Sequence, residues 1–120
     1  MKIAYIAHPI SDRMQERIEQ VKFIQFHIYK CEPNVIPFAP YVRALECLND
    51  ADPVQRKQGM DHNTHFLESG IIDEVRLYGD TLSKGMVEEC LIALREQIPI
   101  KAMTTEMLIL AEKFLRNSVS

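Results

Sequence analysis

Apolar positions fall along the chain in short continuous runs that alternate with longer stretches of helical spacing. Lys2 to His8 (KIAYIAH) is a near-continuous apolar run stopped by Pro9, the pattern of a strand buried on both faces at the centre of a parallel sheet. Beyond Met14, Ile18, Val21, Ile24, Gln25 and Ile28 recur at near-helical spacing up to about Lys30, with Ser11 or Asp12 as the cap. Glu32-Pro33-Asn34 breaks that helix. Val35-Ile36-Pro37-Phe38 follows, and its proline, with Pro40 behind it, limits it to a short second strand or an edge one. Val42, Ala44, Leu45 and Leu48 then form one apolar helical stripe. Val54, Met60, His65 and Leu67 mark another helix, which Asp52 caps and Pro53 opens.

Ile71 to Tyr78 (IIDEVRLY) reads as the third strand, closed by Gly79-Asp80. Ser83 is placed to cap a helix from Lys84 to Gln97 that buries Val87, Cys90, Leu91 and Leu94. Ile98-Pro99-Ile100 is a short fourth strand. Thr104 or Thr105 caps a last helix whose Met107, Leu108, Leu110, Ala111 and Leu115 face the core or a partner. Strands alternating with helices in this way predict right-handed βαβ crossovers and an α/β fold, a Rossmann-like three-layer sandwich on a short parallel sheet of four to five strands. Such sheets bind ligands beyond the carboxyl ends of their strands. That rule selects three loops, His8 to Arg13, Pro37 to Tyr41 and Gly79 to Gly85.

The 120 residues, 47% hydrophobic and 26% charged, suffice for one core and predict a single domain over 1–120. A net charge of -3 leaves no excess of Lys and Arg for a nucleic-acid polymer, whereas a small anion needs only a locally positive pocket. Cys31, Cys47 and Cys90 are odd in number and lack CxxC spacing, which argues against a disulfide framework or a zinc site and for reduced thiols. The opening MKIAYIAHP is too short an apolar run for a signal peptide or a membrane span, so a cytoplasmic protein without membrane contact is expected.

The chemistry concentrates in the third loop. Asp80-Thr81-Leu82-Ser83-Lys84-Gly85-Met86 runs from a strand end into a helix, so free backbone N–H groups, the Ser83 hydroxyl and the helix dipole converge on one spot suited to an anion. Gly85 admits a ligand close to the backbone, and Glu89 sets a carboxylate beside the same spot. A plainer account makes Ser83 only a cap, and Glu88 and Glu89 only acidic residues near the positive end of a helix.

The pattern Ser83-x-Gly85-x-x-x-Glu89 after a strand resembles the motif of the nucleoside 2-deoxyribosyltransferase superfamily, which includes the 2'-deoxynucleoside 5'-phosphate N-hydrolases. Tyr5-Ile6-Ala7-His8-Pro9 is similar to the aromatic and apolar start of that superfamily. The ordered set IPFAPY, DPVQRKQGM, DEVRLYGD and SKGMVEE is similar to its small bacterial and phage branch, over roughly Lys2 to Ile100. The resemblance implies cleavage of an N-glycosidic bond in a nucleotide or nucleoside, by hydrolysis or deoxyribosyl transfer. Glu89 would be the nucleophile and Tyr5 would hold it by a hydrogen bond; a core tyrosine is the alternative for Tyr5. Ser83, where the transferases usually have aspartate, implies a 5'-monophosphate substrate.

Contacts to substrate would come from His8, Pro9, Ser11, Arg13, Phe38, Asp80, Gly85 and Met86. Arg13 reads equally as a solvated residue at a helix start. His65 stands where the family's base-handling aspartate is expected, with Asp61 and His62 as other polar groups on that segment. Asp73, at the far end of its strand, reads as structural. No metal or organic cofactor is implied. A homodimer or larger homo-oligomer is implied, with Arg116-Asn117-Ser118 as the candidate for a residue lent to a neighbouring subunit and Met103, Met107 and Leu110 as an apolar stripe. A nucleotide-binding module without catalysis, or a scaffold with a vestigial pocket, are the alternatives.

Overall fold

The computed structural model describes residues 1–119, with side chains described through Asn117. Its elements run β1 (Lys2–Ala7), α1 (Met14–Cys31), β2 (Val35–Phe38), α2 (Pro40–Cys47), α3 (Pro53–Glu68), β3 (Glu74–Leu77), α4 (Lys84–Arg95), β4 (Ile100–Ala102) and α5 (Thr105–Val119). The four strands form one parallel sheet in the order β2-β1-β3-β4. β1 is central, as its continuous apolar run requires, and the proline-bearing β2 takes an edge. The fold is the Rossmann-like three-layer sandwich, with four strands rather than five. α2, α3 and α4 pack in sequence against one another on the face to which Tyr5 points, while α1 and α5 border a common hollow on the other face.

Ile18, Val21 and Ile28 of α1 are buried together with Ala4 and Ile6 in the core cluster, and on the far side of the sheet Tyr5, Val75, Leu77, Tyr41, Leu67, Met86, Cys90 and Ala93 complete it. No helix among the described residues is long and apolar enough to cross a membrane.

Several boundaries and faces differ from expectation. α1 has Arg13 at its N-cap with no side-chain cap, because the Asp12 carboxylate accepts from Arg17 at 3.2 Å instead. In α3 only Leu67 of the expected stripe is buried; Val54, Met60 and His65 are exposed, since the helix lies over a cavity rather than on the sheet. α4 buries Met86, Cys90 and Ala93, not Leu91 and Leu94, and ends at Arg95, before Gln97 takes φ 59. β4 begins at Ile100, two residues later than read, because the Pro99 carbonyl accepts from Val75 N and sets the register. In α5, Met107 and Ala111 enter the core while Leu108 is exposed. Asp52 caps α3 through Val54 N at 3.0 Å, and Thr104, the cap of α5, accepts from Met107 N at 3.0 Å and donates to the Gly79 carbonyl at 2.7 Å.

β3 shows how the centre tolerates charge. Glu74 and Arg76 share the face opposite Tyr5 and are 1% and 5% exposed. Glu74 is paired with Arg76 at 2.6 Å, Lys2 at 2.8 Å and Lys101 at 3.0 Å, and Arg76 makes a two-point pair with Glu32 at 2.8 and 2.9 Å. Burial alone would raise the Glu74 carboxyl; bonds from Lys2, Arg76 and Lys101 outweigh it and hold the group at about 2. Asp73, just before the strand, accepts from Ile3 N through its carboxylate at 2.7 Å while its own N–H donates to the Ile3 carbonyl at 2.9 Å, a structural clasp of β1 to β3.

Candidate active site

The loops that follow β1 and β3 and the start of α2 open on one cavity of about 500 Å3. Its floor is the first turn of α4. Ser83 caps that helix, its hydroxyl accepting from Met86 N at 3.3 Å, so the N–H groups of Lys84 and Gly85 in the first turn have no acceptor within the helix. A Cβ placed on Gly85 would meet nothing within 4 Å, so the glycine is not required by packing; it leaves the floor open to close approach. Lys84 and Arg56 stand at the rim, and neither is held in an ion pair among the described residues. Lys84 and the N-terminus of α4 make this end of the cavity favourable to an anion.

Gly79 sets the geometry of the loop above that floor. It has φ +88, and a Cβ there would sit 2.7 Å from Pro9 Cδ, so the first and third loops close on each other only because the residue is glycine. His8, buried beside this contact, donates from Nδ1 to the Pro9 carbonyl at 2.7 Å, and burial holds its pKa below the ordinary histidine value.

One turn into α4, the Glu89 carboxylate reaches under the cavity and accepts a short hydrogen bond from the hydroxyl of Tyr5 on β1. Tyr5 is fully buried, and its ring lies 6.2 Å from that of Tyr41, whose own hydroxyl donates to the Ile6 carbonyl at 2.5 Å. Burial, and then the nearby Glu89 charge, push the Tyr5 hydroxyl well above its ordinary pKa, so it stays a donor. Burial pushes Glu89 up to about 7, against the lowering effect of the Tyr5 bond. A carboxyl group titrating near neutrality, held by one oriented donor and open to a cavity, is equipped either to attack an electrophilic carbon or to exchange a proton.

Residues 2–103 match the family described as Domain of unknown function (DUF7768). The chain belongs to this family. No curated protein matches the chain. The DUF7768 match spans β1 through β4 and so includes every residue of the cavity wall.

Of the residues expected from the sequence, the DUF7768 domain brings His8, Ser11, Ser83, Gly85, Met86 and Glu89 to the cavity, with Tyr5 behind Glu89. Others lie elsewhere. Pro9 is buried against Gly79. Arg13 is exposed and pairs with Asp12 at 3.9 Å and Glu16 at 3.6 Å. Asp80 borders the hollow on the α1 side, 3.6 Å from Arg17. Phe38 packs edge-on against Phe66 at 4.8 Å. His65 is exposed and outside the cavity wall, as are Asp61, paired with Lys57 at 2.7 Å, and His62. The Ser118 side chain lies outside the described residues.

Tyr41, Asp50, Arg56, Asn63, Thr64 and Lys84 line the cavity without having been singled out as site residues. Tyr41 belongs to the loop that the strand-end rule selects. Lys84 sits inside the Ser83-to-Gly85 motif and was legible there as a cation. Arg56 lies within DPVQRKQGM but was given no role there, and Asn63 and Thr64 carry no motif, so only the position of α3 over the cavity reveals them.

Proposed function

We propose that this domain cleaves the N-glycosidic bond of a nucleoside 5'-monophosphate or nucleoside, with Glu89 as the nucleophile. The observation that carries the reading is the short Tyr5–Glu89 hydrogen bond beside a cavity that is also lined by the Ser83–Gly85 helix start, Lys84 and Arg56. The resemblance of Ser83-x-Gly85-x-x-x-Glu89 to the nucleoside 2-deoxyribosyltransferase motif supports it. The phosphate binds at the start of α4, which sets the anomeric carbon over Glu89. The Glu89 carboxylate forms a bond to that carbon as the carbon–nitrogen bond breaks, and the base departs with the bonding electrons and takes up a proton from water, which the water of the second step returns to solvent. Water, or a second base, then displaces Glu89 from the glycosyl ester with net retention.

Tyr5 is a positioning residue: it fixes the attacking oxygen and keeps enough of the buried carboxyl ionised near pH 7. Hydrolysis is favoured over transfer by Ser83 in place of aspartate. Assembly as a homodimer or larger belongs to the same proposal, supported by the exposed Phe23, Phe26 and Tyr29 of α1 and Leu108 and Ile109 of α5. So does a cytoplasmic location, supported by three free cysteines.

A second reading, a nucleotide-binding module without turnover, is favoured by the position of His65 outside the cavity. Where the resemblance expects a residue that handles the leaving base, the helix turns that position to solvent. The test is release of free base from ribo- and deoxyribonucleoside monophosphates by wild type, Glu89→Ala and Glu89→Gln. Turnover abolished in both variants supports the glycosidase. Thermal stabilisation by a nucleotide without turnover supports the binding module.

A further inference from the structure

Glu89 is not the only carboxylate that the cavity holds. Glu88, its neighbour on α4, also lines the wall, together with Gly85 one turn before it and Ile92 one turn after. Successive helical residues point about 100° apart, so Glu89 turns in towards Tyr5 while Glu88 stays on the cavity side. The two carboxylates are close enough to interact: burial is the main cause of the raised Glu89 pKa, and the Glu88 charge adds to it. Glu88 is half-buried and is held in no ion pair among the described residues, although Lys84 lies one turn away. Its carboxylate thus serves neither the ion pairs of the fold nor the attack on the anomeric carbon.

We propose that Glu88 holds a hydroxyl of the substrate's sugar, on the ring face that Glu89 attacks. This rests on the glycosidase reading of the same cavity. Displacement of the base brings Glu89 in on the face of the ring opposite the carbon–nitrogen bond. In a β-nucleoside of ribose the 2'- and 3'-hydroxyls lie on that same face, and 2'-deoxyribose keeps the 3'-hydroxyl there. With the phosphate at the start of α4 and the anomeric carbon over Glu89, the hydroxyls come down on the stretch of helix between them, where Glu88 projects. A carboxylate only accepts hydrogen bonds, so it repels a phosphate and takes a proton donor; a hydroxyl is the donor that the sugar presents on this face. The bond fixes the rotation of the ring over Glu89, which a phosphate held at one end leaves free.

The experiment uses the base that a panel of nucleoside monophosphates shows to be released best. The kcat/KM for its release is measured from the ribo, 2'-deoxy and 3'-deoxy 5'-monophosphates, with wild type, Glu88→Gln and Glu88→Ala. The intrinsic effect of each hydroxyl on the chemistry is the same for all three proteins, so only the difference between proteins is read. Loss of the hydroxyl that Glu88 holds is expected to cost wild type about tenfold or more relative to Glu88→Ala, the worth of a hydrogen bond to a charged group. Glu88→Gln, which keeps an uncharged acceptor, is expected to fall between. Both variants remove a charge beside Glu89 and break no ion pair, so they are expected to melt no lower than wild type, and a changed ratio is not lost folding. Ratios among the three nucleotides that are the same in wild type and Glu88→Ala overturn the assignment and leave the proposed function in place. Failure of wild type to release base from any nucleotide of the panel overturns the proposed function and this assignment with it.

Discussion

Replacing Glu89 by Gln should stabilise the domain at alkaline pH and hardly at all under acid conditions. Burial raises the Glu89 carboxyl from 4.5 to about 7 in the folded chain. The folded state therefore holds this proton more tightly than the unfolded state does. Its contribution to stability is full below pH 4.5 and is lost as pH rises through 7, above which the fold carries a half-buried, desolvated carboxylate. At about 1.4 kcal/mol per pKa unit the loss amounts to about 2 to 3 kcal/mol, the lower end applying because one side of the group opens on the cavity. Glutamine has the same size, carries no charge at any pH and still offers Tyr5 an acceptor. Glu89→Gln is thus expected to exceed wild type by about 2 to 3 kcal/mol at pH 8.5, roughly 10 °C in Tm for a domain of this length. The gap should close steadily towards pH 4.5. Thermal and urea unfolding of both proteins between pH 4.5 and 8.5 read this directly, because every other titrating group cancels in the difference. A difference that does not vary with pH would refute the reasoning, since it would mean that Glu89 titrates in the folded chain as it does in the unfolded one.

Other consequences follow from the same geometry. Tyr5→Phe removes the donor that lowers the Glu89 pKa, so the acid limb of the rate profile, set by ionisation of Glu89 near pH 7, should move to higher pH by about one unit; a limb that stays in place contradicts the positioning role. Ser83→Ala should cost about 1 kcal/mol through the lost cap on Met86 N, and should weaken binding of a nucleoside monophosphate more than that of the nucleoside, as read by titration calorimetry. Gly79→Ala should destabilise by about 2 kcal/mol or more, because φ +88 is unfavourable for alanine and its Cβ would meet Pro9 Cδ at 2.7 Å; denaturant unfolding checks it.

Much of the fold was legible because the signals were local. The near-continuous apolar run of Lys2 to His8 pointed to β1 at the centre, and the cap residues Asp52, Ser83 and Thr104, the last offered together with Thr105, marked three helix starts that the structure confirms. What was not legible depended on partners distant in sequence. Glu74 and Arg76 look like the solvent side of a strand, yet both are buried, because Glu32, 44 residues before Arg76, meets the guanidinium. His65 was placed by its position along the sequence, a measure blind to helix rotation. Position 65 lies about 200° around α3 from Asn63, so one faces solvent and the other the cavity. The apolar stripe read for α4 held at Cys90 but not at Leu91 and Leu94, for a related reason: the buried face is Met86, Cys90 and Ala93, the side that also presents Glu89 to Tyr5.

The central claim is that Glu89, aligned by Tyr5, breaks a glycosidic bond in a nucleotide held at the start of α4. It is tested most directly by mass analysis of the protein after rapid quenching with a panel of nucleoside monophosphates, alongside assay of released base. The account predicts base release with a sugar-phosphate adduct on Glu89, both absent in Glu89→Gln. Base release that persists in Glu89→Gln would contradict it.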